Sequence, residues 1–393
     1  MGMGKTTYAI EVIKSNPQNK YIYITPYLDE IKRVRSATHD YNRMYEPLYK
    51  GSSKQDNLHN LLREGKNICS THALFQRSND TTREALKANN YTLILDEVMN
   101  VVEELDNFTK HDLDTILSDN LAYIEDDYLL WNQDKINYNG RYNDIKYMAI
   151  NKNLICINNK VLYWNFPVDI FNYFKEVYIL TYKFDCQIQK YYYDFHGVKY
   201  EKYQIIDGEL LPYQKDRDID IIKGISNLID IYEGNLNLIG DNYYALSLSW
   251  YEKDDGPESN GTLKGILQNN IYNWFNNVNR GVKARDRLWT TFKDYKHSLK
   301  GKGYTNRFIS LNTRATNEYK NTYVLAYCVN RFVKPIISQF FTNRNITINQ
   351  DEYALLEMLQ WIWRSRVREG KAIHIYIPSK RMRNLLLGYL GKQ

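Results

Sequence analysis

Met1-Gly2-Met3-Gly4-Lys5-Thr6-Thr7 opens the chain and decides how the rest is read. The stretch has the form of a phosphate-binding loop running into a helix. Gly4 lets the backbone approach an anion closely, Lys5 brings a positive charge to the β- and γ-phosphates, and the Thr6 hydroxyl suits a Mg²⁺ ion. The helix that follows, with Ala9, Val12 and Ile13 at helical spacing, turns unpaired N–H groups toward the same phosphates. Gly2, Gly4, Lys5, Thr6 and Thr7 are therefore the expected nucleotide-binding residues. The full pattern G-x-x-x-x-G-K-[ST] would put its first glycine before residue 1. The first domain is thus expected to lack its initial strand, as in a chain that begins at an internal Met.

The loop needs an acidic partner. Tyr91-Thr92-Leu93-Ile94-Leu95-Asp96-Glu97 supplies one: an apolar run, as in a strand covered on both faces, that ends in two acids. Asp96 is expected to hold Mg²⁺ and Glu97 to activate water. Strands at 21–25, 67–71 and 177–181 alternate with helices at 28–35 and 58–63, a pattern that predicts a parallel α/β sheet. Leu154–Ile157 and Lys160–Trp164 flank Asn158-Asn159 as a hairpin. The rest of 100–175 gives no clear signal.

Beyond a boundary near Asp185, segment 186–216 reads as β-hairpins. Further on, 219–232, 265–278, 285–299 and 352–368 read as helices. Strands are expected at 236–240, 307–311, 322–329 and 372–377, with Ser379 capping a last helix. The glycine-lysine turn Lys300-Gly301-Lys302-Gly303 is either a linker or a phosphate contact.

The chain has 393 residues, 43% hydrophobic and 25% charged, enough for two or three domains. No run of about 18 apolar residues is present, so no membrane partner is expected. Four cysteines without C-x-x-C spacing suit a reducing cytoplasm and argue against a zinc site. The 36 tyrosines are read as codon bias, not as a base-stacking surface. The net charge of +6 conceals an asymmetry. Residues 1–263 carry 29 basic and 39 acidic side chains, whereas 264–393 carry 23 and 7. The last third is thus net +16, which points to a polyanion partner.

Taken together, the motifs resemble those of a superfamily 2 (DEAD/DEAH-like) helicase of bacteriophage replication type, over nearly the whole chain. The resemblance rests on Gly4-Lys5-Thr6, Thr25-Pro26, Ser70-Thr71-His72, Asp96-Glu97, Leu180-Thr181 and the stretch from Gln360 to Arg368. It implies an α/β protein of two RecA-like P-loop NTPase domains, residues 1–185 and 186–393. ATP would sit between them, and single-stranded nucleic acid would cross the tops of both. Thr25 and Thr71 match the family's contacts to the nucleic-acid backbone, Thr181, grouped with them, matches the motif III threonine that couples hydrolysis to strand movement, and Thr316 stands at a weak motif V. Lys300 and Lys302 join them as basic candidates. Gln360 and Arg364 fit Q-x-x-G-R-x-x-R, though Trp363 replaces its glycine and the last Arg shifts to Arg366 or Arg368. On a continuous helix Arg364 and Arg368 would share one face and act as arginine fingers.

The expected activity is ATP hydrolysis, with Mg²⁺, that drives translocation on single-stranded or forked DNA during phage replication or recombination. RNA is not excluded, and replication proteins are the expected partners. The alternatives are a viral terminase-type packaging ATPase and a nucleic-acid-binding remnant that holds ATP weakly.

Overall fold

The computed structural model describes residues 4–49, 53–105, 107–253, 262–311 and 318–392. Gly2 and Thr316 lie outside them.

Helix α1 (Lys5–Ser15) leads into β1 (Lys20–Thr25), α2 (Leu28–Thr38), the two-residue β2 (Met44–Tyr45), α3 (Lys54–Arg63) and β3 (Asn67–Thr71). The short α4 (His72–Phe75), α5 (Asp80–Lys87) and β4 (Tyr91–Asp96) follow. β4 is buried along its whole length, as its unbroken apolar run requires. Ile10 and Ile13 of α1 pack with Tyr21, Tyr23 and Ile94 on one face of the sheet, while α3 and α5 cover the other. Each such aliphatic side chain contributes ~1.5–3 kcal/mol on full burial.

A second sheet follows β4. Strand β5 (Val102–Glu104), α6 (Lys110–Ser118), β6 (Ala122–Glu125), β7 (Tyr128–Trp131), α7 (Asn143–Ile150), β8 (Leu154–Ile157) and β9 (Val161–Asn165) form it, antiparallel throughout and ordered β5-β9-β8-β7-β6. It has its own core around Leu129, Trp131 and Leu154. The hairpin turns through Asn158, Asn159 and Lys160, with Ile157 paired to Val161 and both asparagines at positive φ (51° and 52°). Strand β10 (Glu176–Leu180) then returns to the first sheet, which is fully parallel and ordered β10-β4-β1-β3-β2.

Segment 186–216 is only half hairpin. Its first part is helix α8 (Ile188–Phe195), whose Tyr191, Tyr192 and Tyr193 are buried in the first lobe's core; β11 (Tyr203–Ile206) and β12 (Glu209–Pro212) make the hairpin. After α9 (Lys215–Ser226) comes the second parallel sheet, ordered β13-β16-β15-β14. Its strands are β13 (Ile229–Ile231), β14 (Arg287–Thr290), β15 (Val324–Tyr327) and β16 (Ile373–Tyr376). The helices around it are α10 (Leu248–Glu252), α11 (Leu263–Asn273), α12 (Lys296–Leu299), α14 (Gln350–Ile362) and α15 (Lys380–Leu390), whereas α13 (Pro335–Thr342) packs into the first lobe.

Two expected elements change type. Residues 236–240 lie in a 3₁₀ turn, and 287–290, expected to be helical, form β14. Of the strand expected at 307–311, only a bridge from Phe308 to Trp289 exists. The boundary at 185 is also crossed. Val333, Ile337, Phe340, Phe341 and Ile348 belong to the first lobe's core with α8. The Tyr163 hydroxyl donates to the Ile336 carbonyl at 3.1 Å, and Arg344 pairs with Asp127 at 3.1 Å.

Candidate nucleotide site

Parallel pairing brings the carboxyl ends of the first sheet's strands level. Thr25 stands beside Thr71, and Asp96 beside Leu180. The amino end of α1 meets that edge. Gly4 adopts the left-handed conformation (φ 68°), and a Cβ there would meet nothing within 4 Å among the described residues.

Asp96 is buried, and two hydroxyls reach its two oxygens. Thr6 Oγ1 donates to Oδ1 at 3.5 Å, and Thr25 Oγ1 to Oδ2 at 3.4 Å. Burial pushes the Asp96 carboxyl above its usual range, against the pull of the Tyr23 phenol, Lys5 and the two threonines. Burial likewise pulls the Lys5 ammonium down, against the Glu97 and Asp96 carboxylates. Glu97 leaves the strand at φ 67°, and its N–H donates to the Leu180 carbonyl at 3.1 Å. A left-handed turn at a non-glycine residue is strained, and here it aims the acid out of the sheet. Thr181 Oγ1 donates to Glu97 Oε2 at 3.5 Å.

These groups fit a magnesium ion. Adjacent ligands of an octahedral Mg²⁺ lie about 3 Å apart, given Mg–O distances near 2.0–2.1 Å. The Thr6 and Asp96 oxygens are spaced close to this, and a desolvated carboxylate gains most from a cation.

Three site residues were not expected. Tyr23 shares a face of β1 with Thr25, two residues on, and its phenol lies against Asp96. Strand alternation could have shown this. Glu30 and Arg33 are one turn apart on α2 and pair at 2.9 Å. Burial, countered by Arg33 and reinforced by Asp96, pushes Glu30 up. Arg33 Nη2 donates to Thr7 Oγ1 at 3.5 Å, so a guanidinium flanks the loop from within the same lobe. An i, i+3 ion pair carries no sequence signal for such a role.

The other expected residues take the following places. Thr25 is fully buried against Asp96, so it does not offer itself to nucleic acid. Thr181 serves Glu97. Thr71 caps α4, accepting from the Leu74 N–H, and lines a cavity of about 570 Å³ between the first lobe and the inserted sheet. Lys300 and Lys302 are exposed, but their turn sits at the amino edge of the second sheet. Arg287, which begins β14, donates there to the Gly303 carbonyl at 3.3 Å.

The arginine helix face does not form, because α14 ends at Ile362. Gln360, half-buried, lies in its last turn. Arg364 is buried and donates to the Ser310 and Leu311 carbonyls at 3.1 and 3.0 Å. Arg366 stacks on Tyr323, and Arg368 lies 3.7 Å from Glu369. The lobes meet at the other end of α14. There Glu352 accepts from Lys183 at 3.5 Å and from the Cys186 thiol at 3.1 Å, while the Tyr182 and Tyr389 hydroxyls bond at 2.8 Å. From Glu352 to its end at Ile362, α14 runs about 15 Å at 1.5 Å per helical residue, and Arg364 lies beyond that end.

Among the described residues no helix is long and apolar enough to cross a membrane.

Comparison with known proteins divides the chain at the same places. Residues 102–164, the inserted antiparallel sheet, match the YonV middle domain, and residues 223–390, the second sheet and its helices, match the YonV C-terminal Rossmann-like domain. Solved structures similar to the chain include an XPD helicase (TM-score 0.45, 11% identity, 100% of this chain and 93% of that one). An apo XPD structure gives a TM-score of 0.49 at 11% identity, over 99% and 93% of the two chains. The SPbeta prophage-derived uncharacterized protein YonV of Bacillus subtilis (strain 168) is 45% identical over 409 aligned residues, spanning 100% of this chain and 97% of that protein. With its middle sheet, its Rossmann-like second lobe and this end-to-end identity, the chain belongs to the YonV family.

Proposed function

We propose that the chain is an ATP-driven motor that moves along single-stranded nucleic acid, DNA in the first instance, during phage replication or recombination. The observation that carries this reading is the convergence of Lys5, Thr6, Asp96, Glu97 and Thr181 at the carboxyl edge of one parallel sheet. A lysine, a hydroxyl and two acids so placed suit a nucleoside triphosphate better than any smaller anion.

ATP enters against Gly4 and the free N–H groups of α1. Lys5 neutralises the β- and γ-phosphates, and its burial strengthens that attraction. Thr6 and Asp96 hold Mg²⁺, which neutralises charge on the phosphate oxygens when bound. Glu97 accepts a proton from the attacking water, and Thr181 fixes its carboxylate at the needed angle. Arg33 faces the outer phosphate from the loop's flank. Thr181 is joined through Tyr182 to Tyr389, so a shift at Glu97 is handed directly to the second lobe.

The test is ATP hydrolysis by the wild type, Lys5→Ala and Arg364→Ala, with and without single-stranded DNA or RNA. Stimulation by nucleic acid in the wild type and its loss in Lys5→Ala are expected. Hydrolysis indifferent to both polymers would remove the proposal.

A further inference from the structure

We propose a base-stacking platform on the second lobe, formed by Tyr243 and Tyr244 with Phe332 behind them, that takes the bases of single-stranded nucleic acid. The proposal rests on the motor reading above and adds the part of the polymer that is gripped.

The platform begins with a clamp. Asn330, just past β15, is fully buried. Its side-chain amide donates to the carbonyls of Tyr243 and Ala245 at 2.7 and 3.0 Å, and its backbone N–H donates to the Leu246 carbonyl at 2.8 Å. Leu246 is forced to φ 63° with its side chain wholly buried. Leucine rarely adopts that conformation, and such strain persists only where surrounding contacts impose it.

The clamped turn delivers two rings to solvent. Tyr243 is 52% exposed and Tyr244 61%. They meet edge to face at 5.0 Å, and both lie about as close to Phe332, at 6.1 and 5.9 Å. The Arg381 guanidinium lies 4.2 Å from the Phe332 ring and 5.6 Å from that of Tyr243. Arg381 is itself fixed by Asp351 at 2.7 Å and by the Asn330 side-chain oxygen at 2.9 Å. Other tyrosines of this lobe, such as Tyr251 and Tyr327, are wholly buried, so exposure here is not a general feature of its aromatic residues.

Position and charge choose the occupant. Asn330 follows β15 and Arg381 follows β16, which puts the rings on the carboxyl edge of the second sheet. Lys334 and Lys380 are exposed beside Phe332 and Arg381, in a stretch of chain, 264–393, with 23 basic and 7 acidic residues. Every base offers a flat π-face to a tyrosine whatever its identity, while the lysines meet the phosphates between. A grip on bases without reading them is what a motor on arbitrary sequence needs.

The experiment is fluorescence anisotropy with the full chain, using a labelled oligothymidine of about 20 nucleotides and an abasic oligomer of the same length. Tyr243→Ala/Tyr244→Ala should weaken binding of oligothymidine by ~10–100-fold and leave the abasic oligomer within about twofold. Tyr243→Phe/Tyr244→Phe, which keeps both rings, should bind both like the wild type. Circular dichroism melting checks the fold, and if the double alanine variant does not fold, Tyr244→Ala alone carries the test. Unchanged oligothymidine binding, as for a protein-docking surface, would overturn the platform, and so would equal loss on both oligomers. Either result could stand with nucleic-acid-stimulated hydrolysis intact, so failure here is separable from failure of the motor reading.

Discussion

Thr181 donates its hydroxyl to Glu97 across the gap between β10 and β4, at 3.5 Å. The acid at the end of one strand is thereby aimed by the next. Thr181→Val should lower kcat by roughly 10-fold with little change in KM for ATP, the usual effect of losing a partner that only orients. Glu97→Gln should cost ~10²–10⁴-fold by losing the base itself. Steady-state hydrolysis separates the two, and a KM change as large as the kcat change in Thr181→Val would contradict the assigned role.

Asp96→Asn should abolish hydrolysis and raise the melting temperature together. Burial lifts the pKa of Asp96 in the folded protein above its unfolded value. The folded state therefore holds its proton to higher pH, and ionisation works against folding as pH rises through the acid range. The asparagine variant lacks that loss, so its advantage should grow from about pH 4 upward. Melting curves at several pH values measure it.

Arg33 and Arg364 make opposite forecasts. Arg33→Ala should slow hydrolysis and leave stability nearly unchanged, since its pair with Glu30 is half-exposed. Arg364→Ala should lower stability by about 1–3 kcal/mol, because two half-buried carbonyls lose a charged donor. Chemical denaturation and hydrolysis rates on the same two variants settle the assignment.

His196 supplies an acid-sensitive joint. Its ring lies against Tyr192 and Phe195, and burial with the nearby Arg344 pulls its pKa down to about 4. The unfolded chain takes up a proton near pH 6.5 that the folded one refuses. Stability should therefore fall as pH drops from about 6.5 to 4. His196→Gln should flatten the urea midpoint across that window.

Gly240 approaches the end of β16 so closely that a Cβ would lie 1.8 Å from the Pro378 carbonyl oxygen. Gly240→Ala should cost about 1–3 kcal/mol, as overpacking does, and thermal melting would show it.

The first parallel sheet was legible because its strands obey a local rule. Leu93-Ile94-Leu95 is unbroken, Pro26 stops β1, and two acids mark an edge. Three short motifs picked out most of the residues that meet at the candidate site. What misled were residues whose partners lie far along the chain. Tyr191, Tyr192 and Tyr193 read as strand by their alternation with polar neighbours, yet they bury helix α8 against α13, some 150 residues away. Arg287-Leu288-Trp289-Thr290 has no strand signal of its own and becomes β14 because β15 lies beside it. The arginines were placed by assuming a helix that runs on past Ile362, when the chain turns there to set Arg364 against Ser310 and Leu311. Arg33 and Glu30 went unseen because nearness to Thr7 is a property of the fold.

Val333, Ile337, Phe340, Phe341 and Ile348 sit inside the first lobe's core although they are reached only after three of the second sheet's strands have been laid down. The lobe that carries the candidate site is thus still missing part of its own interior when the residues before Val333 have been made. A nascent chain that stops short of Val333 would leave apolar surface of that lobe open. In this architecture the first lobe closes its interior only once Ile348 has been made.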